Sequence, residues 1–202
     1  MTALDKTIAS VTPPEDQDKR AQAHAKARAV AEPGDWLSQI LDHHEQIQAA
    51  FAALRATDDA ASRRAAQKDL GILLNGHAMA EEAVVYPALA HIGKMLSADM
   101  AYIEQVAAKM QIAALDHLDP LSEDYLDKLG HLEGAVLHHV YSEEKDWFVA
   151  LKAQASAEDQ AMVTERYAEE YGRYMRGGET PRGTARATAL AEPRSFSTGA
   201  TT

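Results

Sequence analysis

HAMAEEAVVYPAL at residues 77–89 and HVYSEEKDWFVAL at residues 139–151 share one pattern, H-x-x-x-E-E-x-x-x-[YF]-x-A-L, at an offset of 62 positions. His77 and Glu81 are four residues apart, and so are His139 and Glu143. On a helix this spacing stacks the two side chains on one face, one turn apart. A stacked imidazole and carboxylate form half of a metal site. Two such helices facing each other would make a carboxylate-bridged one.

The surrounding chain has the composition to build those helices. It is rich in Ala, Leu, Glu, Gln and Met, and no window alternates with period two as a strand would. Five helical segments are expected. The first starts at an Asp35 N-cap and runs to about Arg55, with Trp36, Leu37, Ile40, Leu41, His44, Ile47, Phe51 and Leu54 on one face. The second runs from about Ala60 to Ile92, with Gly71, Gly76 and Pro87 as points of bending. The third is capped by Ser97 and reaches about Leu118, where Asp119–Pro120 ends it. Ser122 caps the fourth, to about Ala153, and Ser156 caps the fifth, which ends before Gly177–Gly178.

Short loops between the first four long helices predict an all-α, up-down-up-down antiparallel four-helix bundle, with the fifth helix as an appendage. The folded domain is expected over residues 34–176. Residues 1–33 read as a mobile polar arm and residues 177–202 as a disordered tail.

The chain has no cysteine, which excludes disulfides, thiolate metal sites and cysteine nucleophiles, so any metal must be held by nitrogen and oxygen. A formal net charge of −11 argues against binding nucleic acid through a basic face. Neither a signal-peptide run nor a transmembrane span is evident, so a cytoplasmic location and no membrane association are expected.

The apolar stripes are interrupted at matched depths by His44, His77, Glu81, His139 and Glu143. Burying ionised carboxylates is costly unless they are paired or bind a cation. One H-x-x-x-E pair is commonly just a helix contact; two copies with the same tail, plus the HHE at residues 43–45, read as a metal site. A weaker internal alignment, at an offset of 65, pairs Leu37, Leu41, His44 and Ile47 with Tyr102, Val106, Lys109 and Ile112. It puts Lys109 where the first helix has His44.

ILDHHEQI (residues 40–47), HAMAEEAVVYPAL and HHVYSEEKDWF (residues 138–148) together resemble the hemerythrin HHE cation-binding family, over about residues 36–152. The resemblance implies a four-helix bundle holding a non-haem iron centre, usually di-iron, with carboxylates bridging and histidines as terminal ligands. Carried over by position, it selects His44 rather than His43, because His44 stands three before an Ile. Glu81 and Glu143 would then bridge, and His77 and His139 would cap. The family's third-helix histidine position falls on Lys109, as an extra ligand or a group beside the site, or else a single metal is held.

Of the remaining residues, His43 and His138 are expected outside the ligand shell, while His91, His117 and His131 have no partner at metal spacing, and His24 lies in the arm. Glu82 and Glu144 stand one step off the ligand face. Tyr86, Phe148 and the methionines Met79, Met95, Met100 and Met110 read as core, and Tyr141 has no evident role. The expected function is binding, sensing or detoxifying a small oxidant: O2, nitric oxide or peroxide. The alternatives are a catalase-like enzyme, or a metal-stapled bundle in iron handling or partner binding, with a homo-oligomer also open.

Overall fold

A computed structural model describes residues 15–176; residues 1–14 of the expected arm and the expected tail at 177–202 lie outside that range. Among the described residues the chain is all helical, in six rods with no strand. These are α1 (Gln17–Val30) and α2 (Trp36–Arg55), then α3 (Ala60–Ala80), which passes through a π-helical turn (Glu81–Val85) into α4 (Tyr86–His91). Next come α5 (Met95–Leu115) and α6 (Glu123–Ser142), the latter passing through a second π turn (Glu143–Trp147) into α7 (Phe148–Gln154), and finally α8 (Ala157–Met175). No helix among the described residues is long and apolar enough to cross a membrane.

Side-chain caps start most of the rods. Asp35, Asp59, Ser122 and Ser156 each accept a backbone N–H from the first turn of α2, α3, α6 and α8. Ser97 does not cap α5, which begins two residues earlier at Met95 without a side-chain cap. The boundary is set instead by Gly93 at φ +82°, which closes α4 with a Lys94 N–H to Leu89 C=O bond.

The packing joins α2 to α3, α4 and α6 to α5, and α8 to both α3 and α2. Two apolar cores result. One gathers Trp36, Leu37, Val85, Leu89, Phe148 and Tyr167; the other gathers Ile47, Phe51, Leu70, Leu115, Leu129 and Leu132. The helix α8 is more than an appendage: Tyr167 is fully buried, and a Cβ at Gly76 would meet Met175 Sδ at 3.0 Å and Tyr174 at 3.1 Å. Glycine there lets α3 and α8 approach closely.

The expected mobile arm does not hold for residues 17–30. They form α1, capped by Asp16 and packed across α2 and the second π turn. Its inward residues are the buried Ala23 and Ala27, and its outer ties are ionic, from Arg28 to Asp42 and Glu45 at 2.8 Å each. Alanine contact supplies no stripe of large apolar residues, which is the signal that marks the other helices.

Two outcomes follow from these contacts. Asp35 accepts from Ser38 N–H at 2.7 Å and Glu32 N–H at 2.8 Å and pairs with Lys152 at 2.8 Å. Asp35→Ala should therefore lower stability by about 1–2 kcal/mol in urea unfolding, at the upper end for a lost N-cap, with Asp35→Asn losing less. His24 bonds Glu144 at 3.0 Å and Glu45 at 3.1 Å. The hydrogen bond to Glu144 raises its pKa above the ordinary histidine value, against burial. A raised histidine stabilises fully below its unfolded-state pKa and loses that contribution as pH rises through the folded-state value. Hydrogen exchange of residues 17–30 should accordingly quicken above neutral pH relative to the rest of the chain, beyond the intrinsic base dependence, and His24→Ala should remove the excess.

Candidate metal centre

The layer between the two apolar cores is polar. The fully or nearly fully buried residues in it are His43, His44, His77, Glu81, Gln105, His139, Glu143 and Glu144. The two H-x-x-x-E pairs enter it from the C-terminal ends of α3 and α6, and each glutamate opens a π turn. In that turn the backbone bond closes from i to i+5: Tyr86 N–H reaches Glu81 C=O, and Phe148 N–H reaches Glu143 C=O. Residues five apart are thereby brought towards register, so Tyr86 follows Glu81 and Phe148 follows Glu143 into the interior. Pro87 has no N–H to offer the Glu82 carbonyl, and the Tyr102 hydroxyl donates to that carbonyl instead, at 2.7 Å.

His44, His77, Glu81 and Glu143 each present one ligand atom such that all four atoms lie within 4.8 Å of one another. His44 Nε2, His77 Nε2, Glu81 Oε1 and Glu143 Oε2 are buried without a well-formed hydrogen bond, although His44 Nε2 lies 3.4 Å from Glu143 Oε2 and His77 Nε2 3.1 Å from Glu81 Oε2. Buried polar atoms are ordinarily hydrogen-bonded, so four clustered residues that each leave one buried donor atom without such a bond fit a cation. Two neutral imidazoles and two carboxylates are a donor set suited to iron, manganese or zinc.

The opposite ring nitrogens are all occupied. His44 Nδ1 meets Glu144 Oε1 at 2.8 Å, and the same oxygen meets His24 Nδ1 at 3.0 Å. His77 Nδ1 meets the Tyr167 hydroxyl at 3.3 Å, which also meets His43 Nδ1 at 2.8 Å. These outer partners hold each Nδ1 and leave Nε2 to the cluster, the arrangement that orients ligating imidazoles. The expectation for His43 sharpens: it is buried, stacked on Tyr171 with centroids 3.8 Å apart, and acts on His77 through Tyr167.

His139 borders the cluster on its other side. Its Nε2 is 3.3 Å from Glu143 Oε1 and 3.2 Å from the Tyr86 hydroxyl, and its Nδ1 meets Glu104 at 2.8 Å. The Tyr86 hydroxyl also lies 3.1 Å from Glu81 Oε2 and 3.0 Å from Glu143 Oε1. Gln105 Nε2 donates to Glu81 Oε2 at 2.6 Å and to the Tyr86 hydroxyl. Glu143 thus turns Oε2 towards His44 and Oε1 towards Tyr86, while Glu81 Oε2 meets both His77 Nε2, at 3.1 Å, and the Tyr86 hydroxyl.

Charge follows from this geometry. Burial pulls His44 down, but hydrogen bonds to Glu143 and Glu144 outweigh it and raise its pKa to about 10. His139 is likewise raised by Glu143 and Glu104 against burial, and Glu143 is held low against burial by His139 and His44. Burial and the Glu143 charge push Glu81 well up, while burial and the His44 charge push His77 well down. A proton held on His44 takes up a position that a cation would claim, and binding one would release it.

Lys109, expected as an extra ligand or a group beside the site, is not among the clustered groups but lines the cavity next to them. Its ammonium pairs with Glu82 at 2.6 Å, and the inward residue of α5 is Gln105, one turn earlier. The internal alignment did not single out Gln105, which breaks the apolar pattern of α5 one turn before Lys109 does. Tyr86, read as core, places its hydroxyl among the carboxylates; Phe148, its counterpart in the repeat, stays apolar and lies against His44. The outer partners His24 and Tyr167 had no spacing signal, since each comes from a helix outside the repeat. His91 and His117 are exposed.

A cavity of about 30 Å³ opens beside His77, Gln105 and His139 and is walled by Leu74, Ile112 and Val136. It has room for one or two water-sized molecules.

The hemerythrin HHE cation binding domain matches residues 37–151 of the chain. Among curated proteins, a DNA nickase from Nostoc sp. (strain PCC 7120) is 26% identical over 128 residues, covering 63% of this chain and 35% of that protein. The match thus spans about a third of that relative's length. No solved structure matches the chain.

Removing one member of the buried charge set should cost more than an ordinary core deletion. In metal-free protein at neutral pH, His44→Ala should lower stability by about 3–5 kcal/mol, because Glu143 and Glu144 lose a buried cationic partner. Urea unfolding checks this, with half-buried His131→Ala as the near-neutral comparison.

Proposed function

Because the chain belongs to the hemerythrin HHE cation-binding domain family, we propose that it is a non-haem iron protein that binds, senses or detoxifies a small oxidant such as O2, nitric oxide or peroxide. The observation that carries this reading is the convergence of His44, His77, Glu81 and Glu143, each with a buried donor atom that lacks a well-formed hydrogen bond. Beside them lies a small cavity walled largely by apolar side chains.

In this reading His44, His77, His139, Glu81 and Glu143 would hold the iron, within an up-down-up-down arrangement of the four core helices. The placement of Glu143, with one oxygen beside His44 and the other beside Tyr86 and His139, favours two ions over one. Bound iron supplies a Lewis acid able to change oxidation state. The chain's own residues do the rest. Glu144 and Tyr167 hold the imidazoles in one tautomer. Leu74, Ile112 and Val136 restrict water beside the centre. The Tyr86 hydroxyl and the Gln105 amide offer hydrogen bonds next to the cavity. The nicking activity named for the Nostoc relative is left out, since the match covers a minority of that protein and a net charge of −11 opposes a phosphate backbone.

Iron analysis and optical spectroscopy of the purified chain test the reading. It should carry iron with a ligand-to-metal charge-transfer band that responds to nitric oxide or azide, and Glu81→Ala should lose both iron and band. A chain that takes up no iron after anaerobic reconstitution would sink it. Gln105→His should shift the band, whereas Lys109→His should leave it in place.

A further inference from the structure

Helix α5 is built inside out. Its buried face is small or polar, with Ala98, Ala101 and Gln105 ahead of Ile112 and Leu115. Its large apolar residues point outward: Met95, Leu96, Met100, Ile103, Val106 and Met110 are 42–76% exposed. Three methionines read from sequence as core therefore lie on the outer surface of this helix, and Met79 on α3 is also exposed. Single exposed apolar side chains are ordinary, but a continuous stripe along one helix is the mark of an interaction surface. A helix apolar on every side is normally covered on every side.

The spacing of the stripe says what covers it. Leu96, Ile103 and Met110 recur every seven residues, the period of a helix–helix seam. The order is also symmetric about Ile103. In an antiparallel pairing of α5 with α5 from a second copy, Ile103 meets Ile103, Met100 meets Val106 and Leu96 meets Met110. Five of the six stripe residues thus find a large apolar partner, as a two-fold interface requires, and Met95, at the end of the helix, falls opposite Gln111. Charge selects the same direction. The single acidic side chain on this face, Asp99, would meet its own copy in a parallel pair. In the antiparallel pair it faces Ala107, and the two Asp99 positions lie about 12 Å apart along the axis.

The area is adequate. At on the order of 100 Å² for each large apolar side chain, the six residues cover about 600 Å² per copy, which for a pair reaches the ~1,200 Å² lower bound of a specific interface.

We propose that the outer face of α5 is a homodimer interface in which two copies pack α5 antiparallel across a two-fold axis at Ile103. Sedimentation equilibrium on the full chain should give about twice its 22.0 kDa mass. Ile103→Glu sets two carboxylates face to face at the axis and should give a monomer. Ile103 is exposed in the single chain, so circular dichroism should be unchanged. The chain has no cysteine, so introduced ones report the geometry directly. Ile103→Cys should cross-link to a dimer on mild oxidation, Leu96→Cys alone should not, and Leu96→Cys with Met110→Cys should. A monomeric wild type overturns the proposal, as does a dimer indifferent to Ile103→Glu. Cross-linking by Leu96→Cys alone overturns the antiparallel register.

Discussion

The structure depends on a layer of ionisable side chains buried between two apolar cores. His44, Glu81 and Glu143 are fully buried, and His77 and Glu144 nearly so. Each such group costs several kcal/mol to desolvate unless a partner compensates. The compensation comes in two shells of different character. Outward, each histidine is bound through Nδ1: His44 to Glu144, His77 to Tyr167, His139 to Glu104. Inward, His44 and His77 turn to the centre an Nε2 that lacks a well-formed hydrogen bond. A fold meant only to be stable would replace these groups with leucine, since apolar replacement of buried ion pairs is frequently neutral or stabilising. Holding the outer nitrogens so completely while leaving inner ones free makes sense for a chain that must keep lone pairs aimed at a shared point.

The two π turns couple that layer to the sequence repeat. Each begins at a glutamate of the buried cluster and ends before an aromatic residue that the extra winding carries inward. The backbone is the same in both halves and the side chains are not. Tyr86 brings a hydroxyl between the two carboxylates, while Phe148 brings a bare ring against His44 and the edge of Trp36. The duplicated pattern thus makes a polar side and an apolar side of one centre. The cavity lies on the side with Gln105 and His139.

What the sequence disclosed follows the physics of periodicity. The four groups that share the cluster were legible because i,i+4 spacing and helical stripes are direct consequences of 3.6 residues per turn. The all-helical composition was legible for the same reason. Tyr86 was misread because an α-helical count sets it opposite His77, and a π turn leaves no mark that such a count can register. Gln105 was missed by one turn, since a polar residue on an apolar stripe gives its face but not its depth. The helix α1 was read as an arm because alanine contacts and ion pairs, such as Arg28 with Asp42, hold it in place of large side chains. The α5 methionines were read as core because their stripe is real; only its direction was undetermined, and nothing in one chain's periodicity tells an inner seam from an outer one.

The division of labour between core and flanks bears on what is particular to this chain. The clustered donors and His139 all lie within residues 37–151, the span shared with the family. Two of the groups that hold those donors from outside do not: His24 stands on α1 and Tyr167 on α8. Tyr167 bonds His77 directly and His24 acts on His44 through Glu144, so both flanking helices act on ligand candidates. Partners of this kind set an imidazole's tautomer and basicity without touching what it binds. The donor set can therefore stay constant while its orientation and electron donation are adjusted by helices added at either end. In this chain the adjustment is asymmetric, with a carboxylate behind His44 and a phenol behind His77. The carboxylate makes the stronger hydrogen-bond acceptor, so His44 should be the more strongly donating of the two imidazoles.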